Sequence, residues 1–194
     1  MDQVAFIEMK AGTAEEYHFL ERLEQDYNQH LPERILEALE ASAHTLSGYK
    51  VNRLEHALQA AARAEADGAD EEMIVGALIH DLGDSLAPYN HSQFAASIIR
   101  PYVRNEVTWV LHHHGLFQNF YYAHHTGGDR NERDRYKTHP YYQSCIDFCE
   151  RWDQSSFDPD YPIPELSHFA PMLRNIFGRK PFDPEVIGEE YALE

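Results

Sequence analysis

Three observations predict an all-α fold for this chain of 194 residues. Apolar residues recur at three- and four-residue intervals through most of its length. No stretch alternates apolar and polar residues with the period of two that a half-buried strand needs. The least polar run, Met73 to Ile79, has the length of a buried helix and ends abruptly in a charged pair, His80–Asp81.

Taken in order, residues 13–30 open with Thr13 as a cap and an acidic first turn, and Phe19, Leu20, Leu23 and Tyr27 form the apolar stripe. Pro32 opens a second helix that runs to about Leu46 on Ile35, Leu36 and Leu39. Both helices are expected to cover the core with an acidic outer face. After the turn Ser47-Gly48-Tyr49, a third helix spans Val51 to Ala66, and His56 lies near its apolar stripe. Asp67 to Asp70 end that helix and cap the next, which carries the Met73–Ile79 run. Gly83 is expected to close it in the left-handed position just past a helix end.

A Pro-containing loop over 85–90 follows, and His91 opens the helix HSQFAASII, which stops before Pro101. Another helix runs from about Asn105 to His114 and closes at Gly115. An aromatic stretch then leads into the loop DRNERDRYK, the one place where positive charge concentrates. A helix over Tyr141 to Trp152 ends at Asp153. The tail from Phe157, rich in Pro and aromatics, holds a short helix over Leu166–Phe177 and wraps the core. The whole of 1–194 reads as one domain.

Composition narrows the function. A formal charge of −17 argues against nucleic acid and anionic membranes, both of which call for a basic surface. No apolar run approaches the ~20 residues of a membrane span, and the start lacks the pattern of a secretory signal, so a cytoplasmic protein is expected. Cys145 and Cys149, four apart on a helix, read as small buried residues rather than as a disulfide. The 13 histidines are the unusual count, and they point to metal.

The His80–Asp81 pair is the place to begin, because desolvating both groups is costly unless they are paired or bind a metal. His18, His30 and His44 have no partner at metal spacing and read as surface or packing residues. His112, His113 and His114 point in three directions on a helix, so at most one or two can serve one site. His124 and His125 suit a supporting or loop role. His139 and His168 carry no assignment.

The order His56, then His80–Asp81, then Asp153, with the flanks LEHALQAA, ALIHDLGD and RWD, resembles the HD-domain metalloproteins over about residues 47–160. The resemblance implies a helical bundle with the metal inside, covered by the N-terminal helices and the C-terminal tail. Within that family the pieces LEHALQAAARAEADGAD, ALIHDLGD and NHSQFAASII are most similar to the mixed-valent di-iron oxygenases. These include myo-inositol oxygenase and enzymes that cleave the carbon–phosphorus bond of hydroxylated phosphonates.

Carried over, His56, His80, Asp81 and Asp153 would hold one iron, and Asp81, His91 and His114 the other. His114 is chosen by its spacing from Val107, with His113 as the neighbouring alternative. Two irons, Fe(II) and Fe(III), and O2 as co-substrate are implied; the nitrogen and oxygen donors would also accept Mn, Zn or Ni. The implied reaction removes hydrogen from a hydroxyl-bearing carbon of a small molecule and then cleaves its C–P bond, or the C–C bond of a polyol. The alternative within the family is a metal-dependent phosphohydrolase acting on a nucleotide or small phosphate ester. The short flanks and the small size favour the oxygenase. Oligomeric state is left open.

The chain departs from these relatives at substrate positions. Asp84 stands where they place Lys or His, Gln118 where the phosphonate enzymes place Lys, and Tyr49 in the nearer position of their Tyr–Glu pair. Arg130, Arg133, Arg135, Lys137 and Arg151 form an alternative set of anion-binding groups, the first four on a loop that could act as a lid. Asp84 and Tyr49, with Phe117, Phe120, Tyr121 and Tyr122, could instead hold a quaternary ammonium group by charge and cation–π contact.

Overall fold

Side-chain caps set where the main helices begin. Thr13 and Glu16 form a reciprocal capping box at α1 (Ala14–Gln29), and Asn52 and Glu55 do the same at α3 (Arg53–Ala66). Asp70 accepts from the Met73 amide at 3.1 Å and starts α4 (Glu71–Ile79). Between α1 and α3 lies α2 (Leu31–Ser42), with Pro32 in its first turn, where a missing N–H costs nothing. Then come α5 (His91–Ile99), α6 (Asn105–Tyr122), α7 (Tyr142–Asp147), α8 (Leu166–Phe177) and a single turn, α9 (Pro184–Ile187). A π-helical turn, Phe148–Asp153, continues α7 directly. This computed structural model describes residues 1–188, and the described residues contain helices, turns and loops but no strand.

The bundle is built on two tight helix pairs, α3 against α4 and α5 against α6. Ala60, Ala61 and Ala64 are fully buried on α3, and such small side chains let α4 approach closely. Trp109, Phe117, Phe148 and Phe169 fill the centre, each contributing about 1.5–3 kcal/mol through burial of apolar surface. The tail covers the core as expected: α8 lays Phe169, Leu173 and Ile176 against α2 and α4. No helix among the described residues is long and apolar enough to cross a membrane.

Three expectations are corrected. α1 does not cover the core. It packs on α2, while Leu23 and Tyr27 of its stripe are 48% and 63% exposed. α2 stops at Ser42, short of Leu46. α6 does not close at Gly115 but runs on to Tyr122.

Two glycines matter for close approach rather than for helix ending. A Cβ on Gly83 would lie 2.9 Å from both the Cα and the carbonyl oxygen of His91, so Gly lets this loop press onto the start of α5. Gly83 does not take the left-handed conformation that its position had suggested. A Cβ on Gly115 would meet Ser92 Oγ at 2.6 Å and His91 Nε2 at 3.4 Å, so the glycine inside α6 admits the first turn of α5.

Candidate metal centre and its cavity

The elements converge on one point between the two helix pairs. The capping box of α3 places His56 in its first turn. His80 and Asp81 follow the last residue of α4, where Leu82 N–H closes a turn on the Ile79 carbonyl at 3.0 Å. His91 starts α5, His114 lies in mid-α6, and the π-helical turn ends at Asp153. His56, His80, His114 and Asp153 are each at most 3% exposed.

Asp81 lies between two pairs of imidazoles. Its Oδ2 is 3.5 Å from His56 Nε2 and 3.6 Å from His80 Nε2. Its Oδ1 is 3.4 Å from His91 Nε2 and 3.3 Å from His114 Nε2. Asp153 Oδ1 lies nearest the first pair, at 3.4 Å from His56 Nε2 and 3.6 Å from His80 Nε2. The six groups thus form three overlapping candidate ligand sets: His56–His80–Asp81 and Asp81–His91–His114, which share Asp81, and His80–His114–Asp153 between them.

The ring nitrogens show that this set fits a cation. Nδ1 of His56, His80 and His114 donates to the carbonyls of Ser156, Ala77 and Leu111 at 2.9, 2.7 and 2.7 Å. A carbonyl only accepts, so each Nδ1 carries the proton and each neutral ring turns an Nε2 lone pair into the cluster. His56 Nε2 and His80 Nε2 are 3.1 Å apart. Two lone pairs cannot hydrogen-bond to each other, so a proton or a metal ion has to lie beside them. Imidazoles oriented through their far nitrogen are the usual supports of a metal site, and an N/O donor set without thiolate suits Fe, Mn or Zn.

Electrostatics agree. Burial opposes charge on His56 and His80, but the Asp153 and Asp81 carboxylates outweigh it and raise both imidazoles above their ordinary range. Burial likewise opposes charge on Asp81 and Asp153, yet the histidines hold both well below the usual carboxylate range. His91 differs. Burial lowers it, with His114 adding to the effect, more than Asp81 and Asp84 raise it.

A cavity of about 500 Å³ opens beside the cluster, lined in part by Tyr49, Asp84, Gln118, Tyr121, Tyr122 and Phe157. Phe157 stacks on His56 at 4.4 Å and on Tyr49 at 5.0 Å between ring centroids. Asp84 holds His91 through an Oδ1···Nδ1 contact of 3.5 Å. Gln118 Oε1 is buried with no hydrogen-bond partner among the described residues.

Several expected substrate residues lie elsewhere. Arg130 and Arg133 stack over Phe120, at 4.2 and 3.7 Å, and Arg133 is buried there. Arg135 pairs with Glu132, Lys137 with Asp134, and Arg151 with Asp67. None of the five lines the cavity. Phe117 is fully buried against Trp109 and Tyr142, and neither it nor Phe120 reaches the cavity. His113 turns away from the cluster, stacks on Trp109 and donates to the Trp109 carbonyl at 2.9 Å; burial pushes its imidazole down to about 4.

The cation that does line the cavity is Arg53. It contacts Asp81 Oδ2 at 3.3 Å through Nη1 and Asp84 Oδ2 at 2.8 Å through Nη2. Its position three residues before His56 was the available signal, since residues i and i+3 share a helix face.

No protein-family model matches the chain. It is similar to the glycine-betaine-forming 1-hydroxy-2-(trimethylamino)ethylphosphonate dioxygenase of Leisingera caerulea, with 25% identity over 159 residues, which is 66% of this chain and 81% of that protein. That likeness and the His/Asp cluster together support an enzyme of oxygenase type with a metal cofactor.

Proposed function

We propose that this chain is an HD-domain, di-iron, O2-dependent oxygenase that cleaves the C–P bond of a 1-hydroxyphosphonate carrying a quaternary ammonium group. The observation that carries the reading is the division of the two Asp81 oxygens between two imidazole pairs. Such a set would hold two metal ions; two-metal hydrolases use that arrangement too, and the likeness to the phosphonate dioxygenase favours oxidation over hydrolysis. His56, His80, Asp81 and Asp153 would hold one iron, and Asp81, His91 and His114 the other. Bound there, the irons would supply O2 activation and Lewis acidity toward the substrate hydroxyl.

The chain's own residues then bind and orient. Asp84 provides a carboxylate for the ammonium group, and Tyr49, Tyr121, Tyr122 and Phe157 provide aromatic faces for cation–π contact. The overall change balances without an external reductant. The substrate loses its C–H and C–P bonds and supplies all four electrons to O2, whose two oxygen atoms end in the products, a carboxylic acid and phosphate.

The test is O2 uptake and phosphate release by the iron-loaded protein, with 1-hydroxyphosphonates and polyols as substrates. Equal amounts of O2 consumed and phosphate released from a hydroxyphosphonate are expected. Phosphate released from nucleotides or phosphate esters without O2 uptake would replace this reading with the phosphohydrolase, for which the same cluster and Arg53 would serve.

A further inference from the structure

The geometry points to Arg53 as the anion-recognising group of the cavity, with its Asp84 ion pair a placeholder that a zwitterionic substrate takes apart. The inference rests on the proposed reading for the substrate's charges, though not for its chemistry.

Arg53 is the only Lys or Arg among the described residues lining the cavity. Its side chain is 15% exposed, so the charge is largely withdrawn from water and needs compensation. That compensation is incomplete. The 2.8 Å approach of Nη2 to Asp84 Oδ2 is an ion pair whose alignment falls short of a hydrogen bond, and Arg53 Nε is buried with no hydrogen-bond partner among the described residues. Nη1 points at Asp81 Oδ2, the oxygen that faces the His56–His80 pair. A planar guanidinium with unmatched donors is suited to two oxygens of a phosphonate or carboxylate.

Asp84 is the complementary half. Its side chain is 21% exposed and lies between Arg53 Nη2 at 2.8 Å and His91 Nδ1 at 3.5 Å. Tyr49, whose ring lies 5.2 Å from the Arg53 guanidinium carbon, continues to the Phe157 stack on the same wall. A ligand bringing one anion and one cation would satisfy Arg53 and Asp84 separately, so neither charge is left buried alone. A ligand bringing one charge alone would strand the other partner.

This predicts opposite responses to two substitutions, read as anaerobic binding to metal-loaded protein of matched metal content. The probes are hydroxymethylphosphonate (anion alone), choline (cation alone) and 1-hydroxy-2-(trimethylamino)ethylphosphonate (both). Arg53→Gln is expected to weaken the two phosphonates by roughly tenfold to a hundredfold and to leave choline no weaker. Asp84→Asn is expected to weaken choline and the zwitterion while hydroxymethylphosphonate binds as well or better, because Arg53 is released. Arg53→Lys keeps the charge beside Asp81 and serves if the Gln variant loses metal; a loss confined to the phosphonates is expected there too. Equal losses for all three probes, or none, would overturn the inference. The titrations need no turnover, so failure to consume O2 would remove the oxygenase reading and leave the Arg53 result standing.

Discussion

The two halves of the His/Asp cluster are built differently. Around His56 and His80 the side chains are at most 4% exposed, both rings are fixed by backbone carbonyls, and Asp153 adds a second carboxylate. Around His91 the cluster opens, while His114 stays buried with its ring fixed by the Leu111 carbonyl. His91 is 25% exposed, its far nitrogen faces the Asp84 side chain rather than a carbonyl, and the carboxylate beside both imidazoles is Asp81, at 3.4 and 3.3 Å. A site backed by main chain resists rearrangement, whereas one backed by a side chain at a cavity wall can exchange ligands. On the proposed reading the closed half would anchor the metal and the open half would meet substrate.

Substitutions can break that contrast, and Asp81→Ala should have the largest effect. It removes the one group common to both halves, and metal content is expected to fall from about two ions per chain to less than one. His80→Ala opens the closed half and should lower both metal content and thermal stability, since a buried network loses a member. His91→Ala should spare the closed half: about one ion per chain remains, with little change in melting temperature. Retention of two ions in His91→Ala would dissolve the distinction. Asp84→Asn keeps an acceptor for His91 and should weaken metal binding only in the open half, by roughly tenfold to a hundredfold.

Proton linkage sharpens the same contrast in the metal-free protein. His56 and His80 are raised, so their stabilisation is full below the unfolded value of about 6.5 and is lost as pH rises through the folded values. Asp81 and Asp153 are lowered, so theirs is present above about 4 and lost as pH falls. Metal-free protein should therefore melt at lower temperature at pH 8.5 than at pH 6, at about 1.4 kcal/mol per pH unit per histidine at most. Metal-loaded protein should not show that decline, because protons no longer hold the ligands together. The smallest effect is expected on the outer loop. Arg135→Ala with Lys137→Ala breaks only exposed pairs, should change stability by less than about 0.5 kcal/mol, and should leave ligand binding untouched.

Residues with a local reason were the legible ones. Apolar spacing and caps announced α3, α4 and α8, and the charged pair at the end of an apolar run announced where buried polarity would collect. What depended on neighbours was harder to read. The α1 stripe is as amphipathic as a buried helix, yet α1 packs on α2 outside the core and leaves Leu23 and Tyr27 exposed. Gly115 looked like a stop because Gly ends helices, but there the lost Cβ makes room for His91. The loop cations are close in sequence, yet local carboxylates and the Phe120 ring hold them away from the cavity. Arg53 was overlooked because a lone Arg in a first turn looks like ordinary surface charge, and only the fold reveals two aspartates waiting for it.

The central claim is that Asp81 joins two metal ions, and metal content read with low-temperature EPR after partial reduction tests it most directly. Protein grown in iron-rich medium is predicted to hold about two irons per chain and to show a coupled Fe(II)/Fe(III) signal that Asp81→Ala abolishes. A single ion per chain, or two ions without magnetic coupling, would contradict it.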